Sequence, residues 1–278
     1  MKKVGLFFNQ AAPNNGPGKL AVNLVKGLEE IGADFQINKV GEMNGCLQLS
    51  PHLNTLPPST LVGPNIMVLP TDMPNVWAKY ANYTVPSKWS RDFYLSHDVV
   101  GECDIDIWPV GVDTEIFNVE KKNIKRDCFI YFKNRSQEEL QDLKEFLNTK
   151  KISFDVLQYG QYTEEKLLNF AEESRFCILL TRTESQGIAY MEILSTNTPC
   201  YVLNKDVWDD RGADHACPAS SVPYFDETCG VIAERYEKFD YFVDKLASFE
   251  PRNYILGNHT LAKSAQNYLE LLEKSHAV

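Results

Sequence analysis

The sequence has no long hydrophobic run. The longest early apolar stretch among its 278 residues is Val4–Phe8. A secretory leader needs about 7–15 apolar residues and a membrane helix about 20, so we expect neither and expect a cytoplasmic protein. The hydrophobic fraction of 44% and the charged fraction of 24% are typical of a globular chain and exclude a disordered or fibrous one.

Positive charge is scarce as well. The chain has 28 Lys and Arg against 38 Asp and Glu, which gives a net charge of −10, and it has no basic run. This balance argues against general nucleic-acid binding. The seven cysteines form no CxxC pair and are irregularly spaced, which argues against a disulfide framework and a zinc site and favours a reducing compartment.

Strand and helix patterns alternate along the chain in two successive series. The first series opens with a strand at Val4–Phe8, a turn-rich loop at Asn14–Gly18 and a helix marked by apolar residues at helical spacing from Leu20 to Ile31. The second series restarts at the strand Cys128–Phe132. Such alternation predicts an α/β fold of two doubly wound domains, 1–120 and 121–278, that meet at a lysine-rich stretch.

Other segments complete the two series. Residues 41–64 are rich in Pro, Asn, Ser and Thr and are predicted to be mostly loop. Further strands are predicted at 33–40, Ile66–Leu69, Tyr83–Val85, 105–107, 154–159, 176–180 and 200–203. Helices are predicted at 88–95, 138–147, 164–174, 187–195 and 239–274, the last one interrupted near Pro251.

Two carboxylates seven residues apart stand where a strand ends and a helix begins. Glu184 follows the strand 176–180, and Glu192 lies about a turn and a half into the next helix. Open α/β sheets bind ligands at the carboxyl ends of their strands, and a helix N-terminus attracts anions. The free amides at 186–188 therefore suit a phosphate and the two carboxylates suit sugar and ribose hydroxyls, unless the helix is merely solvated and its acids are unrelated.

Several motifs occur in one order along most of the chain. Glu184-x7-Glu192, followed by Asn197-Thr198-Pro199-Cys200, resembles the pattern Glu-Gly-Phe-Gly, then Glu, then Gly-x-Pro-Val. The segment 109–117 resembles Pro-Asn-Gly-Val-Asp-x-x-x-Phe. Asn15–Lys19, Val85–Ser87 and Tyr159–Glu165 agree with a glycine-rich loop, a serine-ended strand and a nucleotide-base loop. Together these motifs resemble the retaining glycosyltransferases of family 4.

The resemblance implies a GT-B fold, in which two Rossmann-like domains face each other across a cleft. It also implies transfer of a hexose, with retention, from a nucleotide sugar of the GDP-mannose or UDP-glucose type to an acceptor hydroxyl. No metal or other cofactor is expected, and the DxD-like Asp104-Ile105-Asp106 is predicted to be a solvated strand face. The acceptor, whether glycan, lipid or protein, is not identified, no nucleic-acid partner is expected, and a homodimer is compatible with the sequence.

The resemblance assigns roles to individual residues. Lys133 and Arg135 are expected to hold the donor diphosphate, although the family pattern of Gly-Arg followed by a later Lys is not kept and a solvated basic turn is the alternative. No histidine matches the one that the family's N-terminal domain offers to the donor sugar, since His52 and His97 are predicted to be surface residues. Asp72, after the strand Ile66–Leu69, is the candidate there, with helix N-capping as the alternative.

The predicted catalytic residues are thus Glu184, Lys133, Arg135 and Asp72. The predicted donor-binding residues are Gly16, Gly18, Lys19, Tyr162, Ser185, Gln186, Gly187, Ile188 and Glu192. Glu184 would orient the sugar, Glu192 would bind the ribose and Tyr162 would lie near the base. Two other functions stay open, a non-catalytic nucleotide-sugar-binding protein and a nucleotide-sugar epimerase of the same fold.

Overall fold

The computed structural model describes residues 2–10, 16–66, 69–120 and 123–277. Within this part the chain divides into two compact units, one made of Met1–Gly111 with His259–Val278 and the other of Val112–Asn258. Parts of three sequence predictions lie outside the described residues. These are Asn14 and Asn15 of the first loop, Met67 and Val68 of a predicted strand, and Lys121 and Lys122 of the predicted boundary.

The first unit is built on a parallel sheet. Its elements before the boundary are β1 (Val4–Phe7), α1 (Gly16–Glu30), β2 (Phe35–Ile37), β3 (Met43–Gln48), β4 (Leu61–Asn65), α2 (Pro74–Lys79), β5 (Asn82–Val85), α3 (Lys88–Leu95) and β6 (Asp104–Ile107). In the described residues the strands are ordered β2-β1-β3-β4-β5-β6 and all pairs are parallel. The order therefore reverses between β1 and β3, where a doubly wound sheet has its crossover point.

The second unit repeats the architecture. Its elements are β7 (Arg126–Lys133), α4 (Gln137–Thr149), β8 (Phe154–Gln158), α5 (Glu164–Glu172), β9 (Ser174–Thr181), α6 (Ile188–Ser195), β10 (Cys200–Leu203), β11 (Val207–Trp208), β12 (Cys217–Pro218), β13 (Gly230–Ala233), α7 (Phe239–Asp244) and α8 (Pro251–Asn258). The main sheet has the order β13-β10-β9-β7-β8, all parallel, and reverses between β7 and β9. The last helix, α9 (Leu261–Ser275), belongs to the first unit.

The central strands of the second sheet are buried on both faces. Tyr131 of β7 and Leu179 of β9 cluster with apolar residues of α5 and α6, whereas Phe132 and Leu180 cluster with α4 and α7 on the other face. A strand that is covered on both sides needs apolar residues at every position rather than an alternation. This requirement explains the unbroken apolar run of β7 and confirms the strand predicted at Cys128–Phe132.

The two α/β units expected from the alternation are confirmed, but the region 41–64 is not mostly loop. It contains β3 and most of β4, with β3 paired between β1 and β4 at the centre of its sheet. The turn-type residues in β3 have packing roles: the Asn44 side chain bonds the backbone of Gly41, and Gly45 leaves room for Tyr268 of α9. The fourth strand, predicted at Ile66–Leu69, instead ends at Asn65.

Several element ends also differ from the prediction. Helix α1 begins at Gly16, so Gly16–Gly18 form its first turn rather than a loop. Pro17 is accepted there because the first amides of a helix have no intrahelical partner. Strand β2 covers only Phe35–Ile37, and α5 ends at Glu172 because Ser174 already pairs in β9.

The division of the chain differs from the predicted domains 1–120 and 121–278. It falls between Gly111 and Val112, and α9 packs in the first unit. The reason is the close approach of two helices: a Cβ added at Gly27 of α1 would lie 2.4 Å from the carbonyl oxygen of Leu261. In the part of the chain that the structure describes, no helix is both long and apolar enough to cross a membrane.

The contact of β3 with α9 gives a stability prediction. A Cβ at Gly45 would lie 2.1 Å from the hydroxyl oxygen of Tyr268, so Gly45→Ala must displace a buried ring or a central strand. We expect a loss of about 2 kcal/mol in the free energy of unfolding, measured by urea denaturation. The matched control is Gly257→Ala in α8, whose new Cβ meets nothing within 4 Å and should leave stability unchanged or raise it slightly. Equal midpoints for wild type and Gly45→Ala would contradict this packing.

Candidate functional site

The crossover point of the second sheet brings predicted site residues together. The last residues of β7 and β9, Lys133 and Thr181, are register partners. The segment after β7 carries Arg135, and the segment after β9 carries Glu184. Ligands of doubly wound sheets bind beyond the carboxyl ends of the strands at this reversal, so the second unit places these side chains where its fold favours a site.

Lys133 and Glu184 form an ion pair at this edge. The Lys133 ammonium lies 2.7 Å from Oε1 and 2.9 Å from Oε2 of Glu184, and the two side chains are only 19% and 12% exposed. Burial raises the pKa of Glu184, while the positive charge and hydrogen bond of Lys133 act in the opposite direction. The Lys133 ammonium also lies 4.5 Å from the centre of the Tyr159 ring. Glu184 is held further by its amide, which donates to Ser220 at 2.9 Å.

The start of α6 supplies donors beside this pair. Gly187 precedes the helix with φ 76° and ψ 43°, a left-handed conformation that favours glycine. A Cβ there would also lie 2.0 Å from the Tyr190 ring. The predicted donor-binding residues Ser185 and Gln186 precede it, the first exposed and the second buried, and Ile188 opens the helix. The first amides of a helix lack intrahelical partners and suit an anion.

Glu192 and Tyr162 are the two remaining predicted donor-binding residues of the second unit. Glu192 is buried in α6, with 2% exposure. Burial above all, with smaller contributions from the charges of Glu192 and Glu184, raises the pKa of Tyr162 to about 12. The Tyr162 hydroxyl donates to Tyr131 at 3.4 Å, which leaves Tyr159 as the exposed ring of the predicted base loop. Tyr159 is not among the residues predicted individually from the sequence, although its place directly after β8 is a usable signal.

Arg135 points its guanidinium into the protein. Its Nε and Nη2 donate to Glu139 at 2.9 and 2.7 Å, and its Nη1 donates to the carbonyls of Thr181 and Leu203, each at 3.0 Å. The side chain is 7% exposed. The hydrogen bonds from Arg135 to the Glu139 carboxylate, with the Ser136 amide and the Lys205 charge as smaller contributions, hold the pKa of Glu139 at about 2. The role of Arg135 as a diphosphate ligand stays a prediction.

Arg135 also lines a polar pocket of about 400 Å³ at the same edge. Its lining includes Asn134, Arg182, Lys205 and Asp209. Arg182 is paired with Asp209, so at least this cation of the pocket is already matched by an acid. The pocket therefore has mixed charge.

The other predicted residues lie in the first unit. Gly16, Gly18 and Lys19 belong to the first turn of α1, and residues 11–15 before this turn lie outside the described part. Asp72 ends a short 3-10 turn that starts at Pro70, and it is exposed. It is not the N-cap of α2, since that position belongs to Met73. Burial raises the pKa of Tyr94, and the charge of Asp72 adds to this effect.

His52 is a candidate that the sequence analysis treated as a surface residue. It follows β3, next to the crossover point of the first sheet, and its half-buried ring lies 5.2 Å from that of Phe7. The sequence does not display this position, because only a strand at β3, which was predicted as loop, places His52 at a carboxyl edge. The strand alternation expected at 104–106 holds: Ile105 is buried, while Asp104 and Asp106 bind the Lys274 ammonium at 2.6 and 2.8 Å.

No protein-family model and no curated protein sequence matches the chain. Several solved structures, in contrast, are similar to this chain. AviGT4, a glycosyltransferase involved in avilamycin A biosynthesis, is 13% identical, with 100% of this chain and 98% of that chain covered and a TM-score of 0.64. An α-glucosyltransferase in complex with UDP and DNA is 8% identical (98% and 99% covered, TM-score 0.66). Sucrose-phosphate synthase from Thermosynechococcus elongatus is 10% identical (100% and 100%, TM-score 0.61). These likenesses show that the chain has the GT-B fold.

The ion pair predicts a pH-dependent stability effect. Lys133→Met removes the cation from a buried carboxylate and should cost about 2 kcal/mol at pH 7, less than for a fully buried pair because both side chains keep some contact with water. The pKa of Glu184 is already raised above its ordinary value of 4.5 and rises further in the variant. A carboxyl whose folded pKa is raised loses stability as the pH climbs above its unfolded value, so the deficit of the variant should grow from about pH 4.5 to pH 7.

Thermal denaturation of three variants over this pH range tests the effect. Lys133→Met with Glu184→Gln should recover most of the loss at pH 7, because a neutral amide needs no counter-charge. Lys150→Met removes an exposed pair with Asp240 and serves as the control, with an expected change below about 0.5 kcal/mol. A deficit in Lys133→Met that does not vary with pH would show that the carboxylate is not the group responsible.

Proposed function

We propose that the protein is a retaining glycosyltransferase that moves a hexose from a nucleotide sugar to an acceptor hydroxyl without a metal ion. The observation that carries the proposal is the Lys133–Glu184 pair beside the N-terminus of α6, at the crossover point of a GT-B fold. AviGT4 is described as a glycosyltransferase, and the α-glucosyltransferase was solved with UDP. The donor is of the UDP-glucose or GDP-mannose type.

The diphosphate of the donor binds Lys133 and the first amides of α6. Charge builds on the leaving phosphate as its bond to the sugar breaks, and a fixed ammonium and a helix N-terminus stabilise that charge. Lys133 is already held at this position by Glu184 and by the face of Tyr159. A cation that is in place before the donor arrives needs little reorganisation during the reaction.

The remaining groups orient the donor. Glu184 accepts hydrogen bonds from sugar hydroxyls, and Glu192 accepts them from the ribose. Tyr159 and Tyr162 lie near the base. The bond from the anomeric carbon to the phosphate oxygen breaks, the bond to the acceptor oxygen forms on the same face of the sugar, and the acceptor proton passes to the leaving phosphate. The chain's contribution is positioning and charge stabilisation.

Calorimetric titration with UDP-, GDP- and ADP-sugars tests the donor site. One donor should bind with a micromolar Kd. Lys133→Ala and Glu192→Gln should each weaken it at least tenfold, a loss of about 1.4 kcal/mol. Lys150→Ala, which removes an exposed lysine of the same unit, should change nothing.

Product analysis with the donor so identified separates the possible activities. A new glycoside with the donor's anomeric configuration, formed equally with a chelator present, supports the proposal. A new nucleotide sugar indicates an epimerase, and binding without either product indicates a non-catalytic binding protein. If no donor binds the wild type, the enzyme proposal falls.

We propose that His52 takes the part that the resemblance gives to a histidine of the N-terminal domain. His52→Ala should lower kcat about tenfold or more, while the Kd for UDP or GDP stays within twofold because Lys133 and α6 are intact. His97→Ala, at the end of α3, is the matched control, since its ring bonds the Phe93 carbonyl of its own helix. Equal kcat values for His52→Ala and His97→Ala would remove His52 from the site.

A further inference from the structure

Arg135 uses most of its hydrogen-bonding capacity inside the second unit. A guanidinium has five N–H donors. Four of them are engaged in the structure, two by the Glu139 carboxylate, one by the Thr181 carbonyl and one by the Leu203 carbonyl. With 7% exposure, the side chain has little surface left for a ligand. Its partners are thus fixed parts of the protein.

The two carbonyls that Arg135 binds end two neighbouring strands. Thr181 is the last residue of β9 and Leu203 is the last residue of β10. A strand's final carbonyl lies beyond the ladder and needs another donor when it is buried. One planar guanidinium reaches both carbonyls and is itself held by a bidentate pair with Glu139 in the first turn of α4. Arg135 therefore ties β9, β10 and α4 to one another.

The segment that leaves β9 carries Glu184, and two backbone hydrogen bonds hold it. The amide of Arg182 donates to the Lys133 carbonyl at 3.2 Å, and the amide of Glu184 donates to the Ser220 carbonyl at 2.9 Å. The Ser221 hydroxyl donates to the Thr181 carbonyl at 3.3 Å, beside the Arg135 bond. The orientation of the Glu184 carboxylate thus depends on where the end of β9 is fixed.

We propose that Arg135 is a positioning residue that fixes the ends of β9 and β10, and through them the Glu184 segment, and that it does not bind the donor. Lys133 and Arg135, two residues apart, hold the same segment in different ways. Lys133 binds the carboxylate and Arg135 binds the backbone. The effect on turnover rests on the proposed function, whereas the effect on the Glu184 segment does not.

The hydrogen bonds of Arg135 to Glu139 and to the carbonyls of Thr181 and Leu203 are called the clamp below. Hydrogen exchange followed by mass spectrometry tests the clamp without any ligand. In Arg135→Lys and Arg135→Met, amides at 182–187 should exchange at least tenfold faster than in wild type. A lysine cannot bond two carbonyls and a carboxylate in one plane. Ser221→Ala, which removes the neighbouring bond to the Thr181 carbonyl, should act in the same direction but less. The control is Arg175→Lys, an exposed arginine paired with Asp127 in the same unit, with no change expected.

Peptides from β8 report on the rest of the sheet in the same experiment. If the amides of 154–158 and of 182–187 exchange faster in the same proportion, Arg135 serves general stability and the positioning role is overturned. If 182–187 keeps its wild-type exchange in both variants, the clamp itself is overturned. Should Arg135→Met fail to fold, Arg135→Lys and Ser221→Ala still decide between these results.

Binding and turnover then separate positioning from donor contact. UDP and GDP are the probes, with UMP and GMP for comparison. We expect Arg135→Lys to keep the Kd of the diphosphate that binds wild type within twofold, while kcat falls at least tenfold. A diphosphate Kd raised tenfold with an unchanged monophosphate Kd would make Arg135 a diphosphate ligand and overturn the proposal. If neither diphosphate binds wild type, the proposed function fails, and the exchange result still judges the clamp.

Discussion

The parallel pairing of β7 with β9 is the constraint on which the candidate site depends. These strands lie far apart in the chain and are neighbours only because the sheet reverses its order there. Their register sets Lys133 opposite Thr181. Because Glu184 follows Thr181 by three residues, this pairing brings the Lys133 ammonium and the Glu184 carboxylate together. Since side chains alternate between faces, a slip of one residue would turn Lys133 away from Glu184.

Much of the second unit could be predicted because its central strands are buried on both faces and its helices α4 and α5 carry side-chain caps. The helix after Thr163 is an example, since the Thr163 hydroxyl accepts from the amide of Lys166 as a capping threonine should. Strand β3 could not be predicted in the same way. Its Asn44 and Gly45 are typical of turns, and their packing roles depend on Tyr268, which lies far away in sequence.

The candidate site likewise has residues that could be predicted from the sequence and contacts that could not. Glu184, Glu192 and Gly187 follow from local spacing at a strand end and a helix start, which a sequence displays directly. The partners of Arg135 do not, because the carbonyls of Thr181 and Leu203 look like any others until the sheet order is known. The position of His52 after a strand could not be predicted for a related reason, since it depends on β3. Residue type predicted which side chains carry charge, and only topology decides which groups they bind.

The return of α9 to the first unit has a consequence for how the protein is made. The second unit is one continuous segment, Val112–Asn258, whereas the first unit needs one segment before it and one segment after it. Strand β3 and helix α1 meet α9 at Gly45 and Gly27, so their packing surfaces stay uncovered until the last helix is synthesised. On a ribosome, where the N-terminal part emerges first, the unit that begins first is therefore the one completed last. The face of the first sheet that α9 covers therefore stays exposed until α9 has been synthesised.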